Sequence, residues 1–107
     1  MPSRHAHRAA LRRHAEPDVL PPTGLSDLPP LPDDGLGWRN PVRGDAYERR
    51  EWAVYIDHPG GSITLARVRQ QQDGGFEVSA GMAFAKVVDP QAAFELAAGW
   101  AMAAARR

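Results

Sequence analysis

Three groups of residues have types and spacings that invite chemistry. Asp57, His58 and Ser62 place an acid, an imidazole and a hydroxyl within six residues, around Pro59-Gly60-Gly61. A nucleophilic triad uses these groups, but it needs the base to reach the nucleophile on one side and the orienting acid on the other. Neighbouring residues on one tight turn diverge, and no separate element would hold them in line. The two glycines could aim backbone N–H groups at an anion, yet a turn here requires glycine in any case. His5, His7 and His14 form the second group. His7 and His14 could share a helix face, whereas His5 and His7 could not. No acid lies among them, so solvated imidazoles rather than metal ligands are expected. The chain has no cysteine, which removes disulfides and thiolate metal sites. Neither a phosphate-binding loop nor a dinucleotide glycine pattern is present. The expectation is therefore no enzyme, with no catalytic residue, no cofactor and no metal.

The third group is cationic. Arg39, Arg43, Arg49 and Arg50 lie among the aromatic residues Trp38 and Tyr47, and Arg67 and Arg69 alternate further on. Cations interleaved with stacking surfaces suit a single-stranded nucleic acid, and they suit a protein interface equally. Asp45, Glu48 and Glu51 dilute the patch. Three short strings lead nowhere. Leu20-Pro-Pro-Thr-Gly24 lacks the apolar span and basic tail of a sorting signal. Pro29-Pro-Leu-Pro32 is what a proline-rich linker contains by chance, and Arg43-Gly-Asp45 has no secretory context.

Thirteen basic and thirteen acidic residues cancel, but unevenly. Residues 1–15 carry Arg4, Arg8, Arg12 and Arg13 and no acid; residues 16–34 carry Glu16, Asp18, Asp27, Asp33 and Asp34 and no base. From residue 35 onward, nine basic and eight acidic residues leave no average footprint for a polyanion. Lys86 is the sole lysine beside the arginines, a bias of GC-rich bacterial or phage coding. No signal-peptide core follows the basic start, so a cytoplasmic setting is expected.

These patterns divide the chain into residues 1–16, a basic arm of helix-forming composition; residues 17–36, a linker rich in Pro, Leu and Asp; and residues 37–107, a small domain. The arm has only Leu11 as a large apolar residue, too little to dock a helix. The linker's Leu20, Leu25, Leu28, Leu31 and Leu36 exceed what a spacer needs, which suggests an extended segment lying on an apolar surface. In Glu51–Asp57, Trp52, Val54 and Ile56 alternate with Ala53 and Tyr55, as in a strand. Residues 62–71 form a second strand whose apolar phase switches from Ile63/Leu65 to Ala66/Val68, which suggests a bulge or burial of both faces. Residues 76–88 read as one strand bent at Gly81, with Phe76, Val78, Ala80, Met82 and Phe84 on one face.

Asp89 and Pro90 open a terminal helix: Asp accepts from free first-turn N–H groups, and Pro is preset for the first position. Phe94, Ala98, Ala101 and Met102 fall on one side. Gly99 among alanines reads as a point of close approach. Leu96, Trp100, Ala103 and Ala104 lie on the opposite side, which one small sheet cannot also cover, so either the N-terminal half of this chain or another chain is expected to cover it. The expected fold is α+β: a three-stranded antiparallel β-meander packed against one C-terminal helix, preceded by a Pro-rich linker and a short N-terminal basic helix. Its core would hold Trp52, Val54, Ile56, Ile63, Leu65, Phe76, Val78, Met82 and Phe84.

This order of elements, with Trp52 opening the first strand and an Ala-rich helix closing the unit, is similar in outline to the three-strand-plus-helix DNA-binding domains of plant transcription factors and to the arm-binding domains of phage integrases. The resemblance covers about residues 47–105 and implies DNA reading by the sheet face, where only Arg67 and Arg69 are basic. With the arm helix included, the order also resembles double-stranded-RNA-binding domains, but Asp89-Pro-Gln-Ala-Ala93 replaces their basic helix start.

The function expected is a small regulatory or interaction module that binds a protein partner, or itself as a homodimer, through Leu96, Trp100, Ala103 and Ala104. The alternative is a nucleic-acid-binding module using Arg39, Arg43, Arg49, Arg50, Arg67 and Arg69, with the N-terminal arm on phosphates. No membrane contact is expected: the terminal helix is shorter than the ~20 apolar residues of a span.

Overall fold

The computed structural model describes residues 19–32, 35–40 and 50–106. The basic arm expected over residues 1–16, and Tyr47, lie outside them. Five strands run β1 (Leu36–Arg39), β2 (Glu51–His58), β3 (Gly61–Gln70), β4 (Phe76–Ala80) and β5 (Ala83–Val87), followed by α1 (Pro90–Ala105). They form one antiparallel meander in the order β1-β2-β3-β4-β5. The α+β expectation holds, but the sheet has five strands where three were expected.

The two additional strands have separate causes. Leu36–Arg39 is too short to show a period by itself, yet it pairs along β2 with Trp38 opposite Val54. The stretch expected as one strand reverses at Gly81-Met82, with Ala80 opposite Ala83. Gly81 takes φ +60°, the conformation a two-residue hairpin loop asks of its first residue. That reversal changes the parity of everything after it. Ala83, Ala85 and Val87 continue the face of Phe76 and Val78, while Phe84 moves to the opposite face beside Ser79. Met82 and Phe84 are therefore not core residues: their relative exposures are 102% and 57%. Ile63, paired with Ile56 at the far end of the β2–β3 hairpin, is also exposed.

Of the two readings of the phase switch in β3, the structure shows the bulge. Val54 pairs with Ala66 and Tyr55 with Thr64, which leaves Leu65 as the extra residue. The bulge lets Ala66 and Val68 enter the core together with Trp52 and Val54.

Helix α1 starts as its sequence dictates. Asp89 Oδ2 accepts the Ala92 N–H at 2.8 Å, and Pro90 fills the first turn. Ala93, Phe94, Ala97, Ala98 and Ala101 are buried; four of the five are alanines, so the helix backbone can lie close to the sheet. Phe94 fills the centre. Its ring lies 5.1 Å from Trp52, 5.5 Å from Trp38 and 5.7 Å from Phe76 between centroids. Such tilted and edge-on pairs each add about 0.5–1.5 kcal/mol beyond area burial.

Residues 19–32 belong to the same core. Val19, Leu25 and Leu31 are buried in it. Two buried indoles are satisfied by this segment: Trp52 Nε1 donates to Leu20 O at 2.7 Å, and Trp38 Nε1 donates to Pro29 O at 3.0 Å. A buried indole N–H left without an acceptor costs about 1–3 kcal/mol, so the proline-rich strap and the tryptophans stabilise one another. Gly24, at φ +95°, brings the strap beside the helix start, where an added Cβ would stand 3.5 Å from Pro90 Cγ.

Candidate interaction surface

Helix and strap occupy one face of the sheet. On the other, polar side chains project from alternate positions of all five strands. Arg39 crosses this face diagonally. Its guanidinium carbon lies 3.8 Å from the Tyr55 ring centroid, and Nη2 donates to Ser62 Oγ at 2.7 Å. Ala53 sits between Arg39 and Arg67 in register and is fully buried. The Arg39 guanidinium stacks on the Tyr55 ring as a cation on an aromatic face, and its Nε is buried there without a described hydrogen-bond partner. Arg39 thus acts as a cover for Tyr55.

Arg67 and Arg69 point from β3 toward one carboxylate. Glu51 Oε2 accepts from Arg67 at 2.8 Å and Glu51 Oε1 from Arg69 at 3.2 Å. Glu51 is largely buried (13%), whereas the arginine side chains are 49% and 62% exposed. These residues, with Glu77, Ser79 and Phe84, line an open depression of about 160 Å³. Two guanidinium groups thus share the one carboxylate of Glu51, and Glu77 stands opposite Arg69 in register. Among the arginines of the nucleic-acid alternative, Arg50 is exposed, while Arg43 and Arg49 lie outside the described residues.

Asp57, His58 and Ser62 are all exposed at the β2–β3 turn. Ser62 pairs in register with Asp57, and its hydroxyl takes the Arg39 hydrogen bond. Among the described residues no group of three or more His, Cys, Asp or Glu side chains is arranged to hold a metal ion. No described helix is long and apolar enough to cross a membrane.

Leu96, Trp100, Ala103 and Ala104 are each half-buried, and Leu96 and Trp100 pack against the core cluster. The helix therefore shows water less apolar surface than its sequence implies, and its open arc carries Gln91, Ala92, Glu95, Gly99 and Arg106. Among the described residues nothing approaches Gly99 closely: a Cβ there would meet none of them within 4 Å.

Of the five exposed large apolar residues among the described ones, Leu20 and Ile63 lie apart and three lie around β5. Met82 (102%), Phe84 (57%) and Val88 (85%) surround β5, the last strand of the sheet. The continuous alternation through Gly81 concealed them, because it reads as one long core strand. The two readings part only at Gly81, whose positive φ reverses the chain.

Neither a protein-family model, nor a curated protein, nor a solved structure matches the chain.

Proposed function

We propose that this chain is a small non-enzymatic interaction module, accessory or regulatory in role, that binds a protein partner through the β4–β5 hairpin. One observation carries the reading: Met82, Phe84 and Val88 are exposed within seven residues, around a strand with no described neighbour on its outer side. Single exposed apolar residues are ordinary, but three such residues at one free sheet edge make the kind of patch that marks protein contacts. An unpaired strand also offers backbone N–H and C=O groups to a partner. The helix flank at Leu96 and Trp100 is the weaker candidate, since the chain already half covers it. The cytoplasmic setting expected from the sequence is part of the same proposal.

Affinity capture from the host cell, with the wild-type chain and with a Met82→Ser/Phe84→Ser/Val88→Ser variant, tests the reading. All three side chains are exposed, so the variant should fold normally. Proteins retained by the wild type and lost by the variant support the hairpin as the contact. Equal capture by both forms contradicts it.

A further inference from the structure

The free edge of β5 fits a second copy of itself. Ala80 and Ala83 close a two-residue hairpin loop, so they form a hydrogen-bonded pair, and pairs of that kind then alternate along the ladder. Ala83, Ala85 and Val87 therefore turn their backbone groups toward β4. Phe84 and Lys86 turn theirs outward, to the edge that no described strand occupies. We infer that two copies pair antiparallel along β5 about a two-fold axis at Ala85, joining two five-stranded sheets into one. The inference specifies the partner for the interaction surface proposed above and rests on that reading.

Three features favour this register. It pairs the whole of β5 with itself, Ala83 opposite Val87 of the second copy, with outward backbone groups meeting outward backbone groups. It sets Phe84 opposite Lys86 across the interface on the open sheet face, a cation beside an aromatic ring rather than beside another cation. Shifting the pair toward Lys86 opposite Lys86 would juxtapose like charges, which is destabilising. Lysine on an edge strand commonly deters pairing. Here Lys86 stands opposite Glu77 of its own chain in register, a cross-strand neighbour of opposite charge. At the axis, Ala85 leaves the two backbones free to approach.

The chain contains no cysteine, so one introduced thiol reports the geometry cleanly. In a non-hydrogen-bonded antiparallel pair the Cα atoms stand about 4.5 Å apart, within the roughly 4.4–6.8 Å a disulfide spans. Full-length Ala85→Cys should oxidise to a covalent dimer. Ala83→Cys should not, because its two copies would lie about 14 Å apart along the strands. In sedimentation of the otherwise unaltered chain, Phe84→Lys should weaken dimerisation roughly tenfold by placing lysine opposite Lys86 twice; Phe84→Glu should preserve it. A wild-type chain that stays monomeric, or equal crosslinking by both cysteine variants, overturns the inference. Capture of a foreign protein that is lost in the hairpin serine variant would still uphold the interaction reading, so the two failures are distinguishable.

Discussion

The indole N–H of Trp52 donates to the backbone carbonyl of Leu20 at 2.7 Å, across 32 residues of sequence. This bond ties a proline-rich segment to the centre of the sheet. Replacing Trp52 by Phe keeps most of the buried ring and leaves Leu20 O without its donor. The loss should be about 1–2 kcal/mol in urea unfolding, with faster proteolysis within residues 19–32. Unchanged proteolysis there would show that the indole bond does not hold the strap.

Phe94 should be the most sensitive core position. It is fully buried and meets three aromatic rings. Phe94→Ala should cost about 3–5 kcal/mol, a large part of the 5–15 kcal/mol that small domains typically possess. Phe94→Leu should cost markedly less. Equilibrium denaturation of both variants compares them, and equal losses would contradict the ring cluster as the keystone.

Gly99 lies in the exposed arc of α1, and a methyl group there meets nothing within 4 Å among the described residues. Gly99→Ala should therefore stabilise the fold by about 1 kcal/mol, raising Tm by roughly 4–8 °C for a domain of this size. Thermal unfolding followed by circular dichroism reads this directly. A lowered Tm would mean that the helix is approached closely at Gly99 after all.

Glu51 holds Arg67 and Arg69 together. If the open sheet face does not read nucleic acid, the wild-type chain should give no retardation of DNA or RNA at about 50 mM salt. Glu51→Gln would release two guanidinium groups and should introduce weak, steeply salt-dependent binding. Strong binding by the wild type would restore the nucleic-acid alternative.

Much of this fold was legible because local chemistry decided it. Asp89 and Pro90 could do little but start a helix, and the alternation of Trp52, Val54 and Ile56 fits a strand. The phase switch at Leu65 marked a real bulge. The errors arose where the pattern is blind to direction. Alternation has the same period before and after a tight reversal, so Phe76–Val87 looked like one strand and Phe84 looked buried. Only the positive φ of Gly81 separates the two readings. β1 was missed because four residues hold too few periods to count. On the surface, the sequence points to excess apolar area on the helix; it does not show that Leu96 and Trp100 pack against the core, or that Met82, Phe84 and Val88 stand exposed around β5.

Amide hydrogen exchange at Phe84 and Lys86 tests the central claim most directly. It should be measured in the dilute free chain and again in the complex recovered from the host cell or in the concentrated dimer. Both outward amides should exchange freely in the first state and become strongly protected in the second. Persistent free exchange at Phe84 and Lys86, with new protection around Leu96 and Trp100 instead, would place the contact on the helix and contradict the hairpin edge as the binding surface.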